Sequence, residues 1–278
     1  QTKATIWGTG TDNITAETKA VEEALQSIEP SRDIDVPATT QNGLLVAACD
    51  AASPPLAYLA SVIRIESGEE TKTVEAVGFE IDLCRAVAKK LGLELQVEQV
   101  TWSNLLPSLD TGLYDIIASA MTTGPELPTD LLATDPYLAA DLAICASAGG
   151  SIANEQDLVG KKVGVQVDTL AQPTVEAITD VGEVVIYSQV LGALEDLAEG
   201  KLDAMVAEEI PTRWILDNDP RYGDDFVVSG TLQTGEGYAF WCGKDGGALV
   251  EAMNAALDEL RDDGVYELIS DKWGITEE

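Results

Sequence analysis

The chain reads as an α/β protein of two lobes, each built on a mostly parallel sheet, with a helical extension at its N-terminus. Three observations predict this. At 278 residues the chain is long for a single core. Buried-strand patterns alternate with amphipathic helices twice over, the order that βαβ units with right-handed crossovers require. A stretch of different character precedes the first of those strands.

That stretch is residues 1–43. Thr15 is placed to cap a helix with Glu17 in its first turn, and Val21, Leu25 and Ile28 fall on one face. Pro30 ends the pattern, and "PSRDIDVPATTQNG" reads as a linker. The apolar face needs cover, so the helix is expected to dock. From Gly43 the pattern changes. "LLVAACD" is a strand buried on both faces, and "LASVIRIE" with "TKTVEAV" around "SGEE" predicts a hairpin. Phe79, Leu83, Val87 and Leu91 line one helix face that Gly92 stops. "LELQVEQV" alternates as a strand, Leu105 to Leu109 predicts a short helix, and "YDIIASA" is the next buried strand.

The second half repeats the theme. "KKVGVQV" is a strand followed by a helix from about Thr169; "GEVVIYS" is a strand and "VLGALEDLAEG" a helix. "DAMVAEE" is a strand, "IPTRWIL" a helix and "YAFWC" a late strand. Leu249, Met253, Leu257 and Leu260 mark a long amphipathic helix, and "DGVYELISDKWG" a short final one.

Composition narrows the function. Acidic residues outnumber basic ones 49 to 16, giving a net charge of −33. Such a surface repels nucleic acid and anionic lipid, which need clustered Lys and Arg. It favours solubility, as in a salty habitat. Histidine is absent, which removes His triads, His general bases and His metal ligands. No cofactor and no metal site is implied, and no apolar run reaches membrane-spanning length. No signal peptide is visible at Gln1, although a cleaved one leaves no trace. Cys49, Cys84, Cys145 and Cys242 lack CxxC spacing. They read as small buried hydrophobes, with a disulfide open to them in an oxidising compartment.

One stretch draws attention to ligand binding. "IIASAMTTGPELPTDLLATDPY", Ile116 to Tyr137, is a buried strand running into a polar loop. Small residues and hydroxyls (Ser119, Ala120, Thr122, Thr123) gather where an open α/β sheet presents its ligand. Yet no Lys or Arg occurs between Lys90 and Lys161 to grip an anion.

The segments "CDAASPPL", "GFEIDLCRAVAKKLG", "TWSNLLPSLDTGLYDIIASAMT", "ATDPY", "DLVGKKVGVQVDT", "AEGKLDAMVAEE" and "LDELRDDGVYELISDKWG", in this order, resemble the amino-acid class (family 3) of extracytoplasmic solute-binding proteins that feed ABC transporters, the family of glutamine- and histidine-binding proteins. The resemblance covers about Leu45 to Gly274. It implies a two-lobed, type II periplasmic-binding-protein-like clamp: residues 44–140 and 241–278 as the first lobe, 141–240 as the second and 1–43 as the extension. It further implies a small polar solute between hinged lobes, closure driven by contacts from both, and a membrane permease that reads the closed form. A monomer outside the cytoplasmic membrane, in the periplasm or as a cell-surface lipoprotein, is expected.

The resemblance also locates the site. Relatives hold the α-carboxylate with an Arg where this chain has Leu127, beside a family Thr that is Gly124 here. A charge-assisted clamp of that kind contributes about 1.5–3 kcal/mol. Asp50 follows the first strand at a ligand-contacting position, and Glu208 falls where the family uses Asp for the α-amino group. Asp168 stands where Gly is usual, either as a helix N-cap or as a third acid. Ser53 and Leu56 replace two ligand-flanking aromatics, leaving Trp102 as a ligand wall or as core. Gln166 takes the place of a Lys, and Thr169 follows Asp168. Acids without a basic partner ask for a positive guest, such as an amine-bearing or decarboxylated compound, and a Trp face suits it. Arg64 or Arg213 is the alternative source of a replacement guanidinium. The strands of Cys145 and Cys242 are expected to be neighbours near the hinge, which opens a bridge to that pair; Cys49 with Cys84 is the other pairing. The rival function is a lyase on the same scaffold, similar to cyclohexadienyl dehydratases, with Glu208 or Asp168 as the acid. No nucleophile–base pair supports it, so a binder is expected.

Overall fold

The computed structural model describes residues 16–66, 69–124 and 130–275. In chain order the first half forms α1 (Ala16–Ser27), β1 (Leu44–Cys49), β2 (Ala52–Ser53), β3 (Ala57–Glu66), β4 (Glu69–Val77), α2 (Phe79–Lys90), β5 (Glu94–Gln99), α3 (Trp102–Leu109), β6 (Ile116–Ile117), β7 (Leu132–Ala133) and β8 (Leu138–Ala139). The second half forms β9 (Leu142–Ser147), β10 (Lys162–Gln166), α4 (Ala171–Glu176), β11 (Glu183–Tyr187), α5 (Val190–Ala198), β12 (Ala204–Glu208), α6 (Glu209–Asn218), β13 (Phe226–Leu232), β14 (Gly237–Tyr238), β15 (Trp241–Cys242), α7 (Gly247–Asp262) and α8 (Val265–Trp273).

These elements fall into two compact units. Unit 1 takes the described parts of Gln1–Ala120, Thr129–Tyr137 and Ala239–Glu278; unit 2 takes those of Met121–Pro128 and Leu138–Tyr238. Unit 1 contains a sheet in the order β5-β1-β6-β15-β7, and unit 2 one in the order β11-β10-β12-β9-β13. Strands β5, β1 and β6 pair parallel, and β15 runs against both β6 and β7. In unit 2, β11, β10 and β12 pair parallel, and β9 runs against both β12 and β13. Each sheet therefore has one reversed strand in an otherwise parallel set.

Burial explains the patterns read from sequence. Strand β1 is buried from Leu45 to Cys49, as expected of a parallel strand covered on both faces. Helix α2 turns its apolar side inward, with acidic Glu80 and Asp82 in its first turn and Lys89 and Lys90 in its last, which complements the helix dipole. Strands β3 and β4 form the expected hairpin, in register from Tyr58 opposite Val77 to Glu66 opposite Glu69. Helix α1 docks on α8 and α2, burying Val21 and Leu25, while Arg85 reaches Glu22 at 3.5 Å. Thr15, the expected cap, lies outside the described residues. Asp82 anchors the last helix: it accepts from Lys272 Nζ at 2.6 Å and from Trp273 Nε1 at 2.9 Å.

Some expectations are corrected. The helix predicted from Thr169 begins at Ala171. "YAFWC" is two strands rather than one, β14 in unit 2 and β15 in unit 1, because the chain passes between units after Tyr238. Strand β13 was not read from sequence; its register shifts between Val228 and Gly230, which spoils the alternation. The four cysteines are free and buried. Cys145 belongs to β9 of the second sheet and Cys242 to β15 of the first, so their strands are not neighbours and the expected bridge between them is absent. Burial raises all four thiol pKa values, leaving them inert packing groups.

Candidate functional site

In open α/β sheets ligands are met at the carboxyl ends of parallel strands. In unit 1 those ends belong to β5, β1 and β6 and carry Gln99 and Trp102, Asp50, and Ser119 with Ala120. Side-chain bonds hold them together. Asp50 Oδ2 accepts the Trp102 backbone N–H at 3.0 Å, and Oδ1 accepts Gln99 Nε2 at 3.3 Å. Ser119 Oγ accepts the Asp50 N–H at 2.9 Å and donates to the Asp50 carbonyl at 3.3 Å. Asp50 thus satisfies an amide at the start of α3, a capping role that the sequence did not reveal. Trp102 is half-buried, between the core and ligand-wall alternatives.

Ala120 is buried and adopts φ +52°, a left-handed conformation uncommon for a residue with a Cβ. Ser53 is half-buried in β2, paired with Ala57 of β3. Leu56 is a correction: it is 0% exposed and packs in the core, so it presents no surface to a solute.

Unit 2 holds the remaining candidates. Thr122 bridges to Tyr238, and Thr123 Oγ1 donates to Glu236 Oε2 at 2.6 Å, stitching the loop to residues 236–238. At Gly124, a Cβ would lie 3.3 Å from Leu170 Cδ1, tight enough that a larger side chain there requires Leu170 to move. Leu127 lies outside the described residues. Neighbouring parallel strands β10 and β12 end at Gln166 and Glu208. Gln166 is buried and its amide donates to the Ser188 carbonyl at 3.4 Å, while Thr169 Oγ1 donates to the Gln166 carbonyl at 3.0 Å.

Asp168 is exposed and sits at φ +55°. Gly adopts that conformation at no steric cost, which fits the Gly that the resemblance implies at this position. The N-cap expectation is corrected: the residue before α4 is Leu170, with no side-chain cap, and the Asp168 backbone N–H instead donates to Gln172 Oε1 at 3.2 Å.

Glu208 is partly buried at the junction of β12 and α6. Desolvation raises its pKa above the usual carboxylate value, and its own backbone N–H offsets this in part. Among the described residues no Lys or Arg forms an ion pair with it. Arg213, one of the two replacement candidates, is exposed and bound to Glu209, with NH2 at 2.5 Å and Nε at 2.6 Å from Oε1. The side chain of Arg64, the other, lies outside the described residues.

Two α/β units, each gathering polar residues at the carboxyl ends of its parallel strands, define a binding protein of the periplasmic type. The model of the bacterial extracellular solute-binding proteins, family 3, matches residues 46–276, and the chain belongs to that family. It is 32% identical over 200 residues to a probable histidine-binding protein of Campylobacter jejuni, covering 70% of this chain and 76% of that one. It is 29% identical over 200 residues to ABC transporter arginine-binding protein 1 of Escherichia coli, covering 72% and 82%. Among solved structures, an ancestral arginine-binding protein bound to arginine matches with a TM-score of 0.71 and 30% identity, over 84% of this chain and 98% of that one. The chain is a substrate-binding protein of an amino-acid ABC transporter; these relatives are named as binding proteins, and a lyase is not favoured.

Proposed function

We propose that the solute is a cationic, amine-bearing compound related to amino acids, and that its positive group is taken by Glu208. The observation that carries this reading is a carboxylate partly desolvated at a strand end with no basic ion-pair partner among the described residues. A charge in that setting is costly until a counter-charge arrives. Asp50 and Asp168 add negative potential, and Trp102 offers a face to a cation. Ser119, Ala120, Thr122, Gln166 and Thr169 complete the proposed contact set through backbone and short polar groups. Relatives named for arginine and histidine support a guest with a basic side chain. Without an Arg at position 127, the α-carboxylate is a minor handle. We further propose that the protein works as a monomer outside the cytoplasmic membrane, in the periplasm or on a lipid anchor, and delivers its solute to the transporter's permease.

Calorimetric titration with L-arginine, its decarboxylated analogue agmatine, L-glutamine and L-glutamate tests the reading. Agmatine is expected to bind within about tenfold of L-arginine, a difference of about 1.4 kcal/mol or less, with L-glutamate far weaker. Selective binding of L-glutamine, or a strict need for the carboxylate, overturns it.

A further inference from the structure

We propose that Glu80, a residue outside the ligand contacts named above, is the positioning residue of the candidate ligand loop. Its side chain is 0% exposed at the start of α2. Oε2 accepts the Ala120 N–H at 2.6 Å, with the Ser119 N–H also bonded to the carboxylate, and Oε1 accepts the Tyr137 hydroxyl at 2.7 Å. Ala120 and Tyr137 are the two residues after which the chain leaves unit 1. The third passage is tied to the same post: Phe240, just after the return at Ala239, lies 4.8 Å from the Tyr137 ring, centroid to centroid. Its amide donates to Thr134 Oγ1 at 3.1 Å, and Tyr266 donates to the Tyr137 carbonyl at 2.6 Å. One buried carboxylate therefore fixes the left-handed turn at Ala120 that presents the loop from Ser119 to Thr122.

Burial pushes the Glu80 carboxyl up to about 7, against the pull of its three donors. The titratable groups that face it are Tyr137, Cys49 of β1 and Cys84 one turn along α2; among the described residues no Lys or Arg forms an ion pair with it. Deprotonation strengthens the bonds to the loop amides, so loop order and ligand affinity rise together as the pH passes through that value. The proposal rests on assigning Ser119 to Thr122 to the ligand site.

The test uses the full chain labelled with ¹⁵N, from about pH 5.5 to about 8.5. Without ligand, the Ala120 and Ser119 amide resonances are expected to titrate together near the Glu80 value and to stop titrating in Glu80→Gln. That variant keeps an acceptor for Ala120 and donates its amide to the Tyr137 oxygen, so it keeps the fold. With L-arginine or agmatine, Glu80→Gln is expected to lose the part of the wild-type pH dependence of affinity centred near the Glu80 value while keeping the part that Glu208 contributes, and Glu80→Ala to bind about tenfold more weakly. Amides that do not titrate in the wild type, or a Glu80→Gln variant with an unchanged pH profile, overturn the proposal. If neither probe binds, the cationic-solute reading falls and the amide titration alone decides for or against Glu80. If Glu80→Ala does not fold, Glu80→Gln decides.

Discussion

The backbone N–H of Trp102 donates to Oδ2 of Asp50 at 3.0 Å, joining the start of α3 to the end of β1 across 52 residues of sequence. One side chain thus supplies both a helix-end acceptor and a negative charge, and substitution separates the two. Asp50→Asn keeps an oxygen for the amide and is expected to hold stability within about 0.5 kcal/mol, whereas Asp50→Ala loses about 1 kcal/mol, as other capping losses do. Both weaken agmatine binding. Urea unfolding beside calorimetry reads the two effects independently.

For Glu208, stability and affinity move in opposite directions. Its pKa is raised in the folded state, so its contribution to stability is full below the ordinary carboxylate range and is lost as the pH rises through the raised value. Glu208→Gln is therefore expected to be as stable as the wild type or more so at neutral pH without ligand. The same variant loses roughly 10- to 100-fold in affinity for agmatine. In the wild type, cation affinity falls on acidification through the Glu208 pKa. Thermal unfolding with and without agmatine, at several pH values, checks all three.

Asp168 holds a left-handed backbone that Gly adopts at no steric cost. Asp168→Gly is expected to stabilise the ligand-free protein by about 0.5–1 kcal/mol through relief of that strain. If Asp168 also draws in a cation, agmatine affinity drops in the same variant. A rise in melting temperature with unchanged affinity removes Asp168 from the site.

Leu127→Arg places a guanidinium at the position where the family resemblance implies one. L-Arginine is expected to gain at least about tenfold over agmatine, because only the former offers a carboxylate to a bidentate partner. Competition titration of the two ligands against each other gives the ratio directly.

A net charge of −33 repels itself at low ionic strength. Screening shortens the reach of that repulsion from about 10 Å at 0.1 M salt to about 3 Å at 1 M. The melting temperature is expected to climb over that interval in sodium chloride. A flat or falling response shows that the acids are dispersed too widely to matter.

Long periodic elements such as α2, α7, β1 and the β3–β4 hairpin were legible in the sequence, because their patterns repeat over several turns or residues. Strands β7 and β8 were not, since two residues carry no period. At the site, Asp50 and Ser119 were legible from their places at strand ends, and Trp102 was singled out only by the family resemblance. The bonds joining them were not legible, because they depend on pairings far apart in the chain. Glu80 was hidden by base rates: a wholly buried glutamate is rare, and nothing local in "GFE" announces its distant donors. Leu56 misled because an aligned position does not reveal which way a side chain turns. The positive φ of Asp168 had one signal, the Gly usual at that place.

The reversed strand of the first sheet has a consequence for biosynthesis. Strand β15 inserts between β6 and β7, yet it is made only at Trp241–Cys242. A nascent polypeptide that has emerged through Tyr238 holds everything assigned to unit 2, while the sheet of unit 1 still has a gap between β6 and its edge strand β7. The later-numbered unit is thus free to mature first, and the ribosome must deliver the segment from Ala239 onward before the earlier-made half finishes folding.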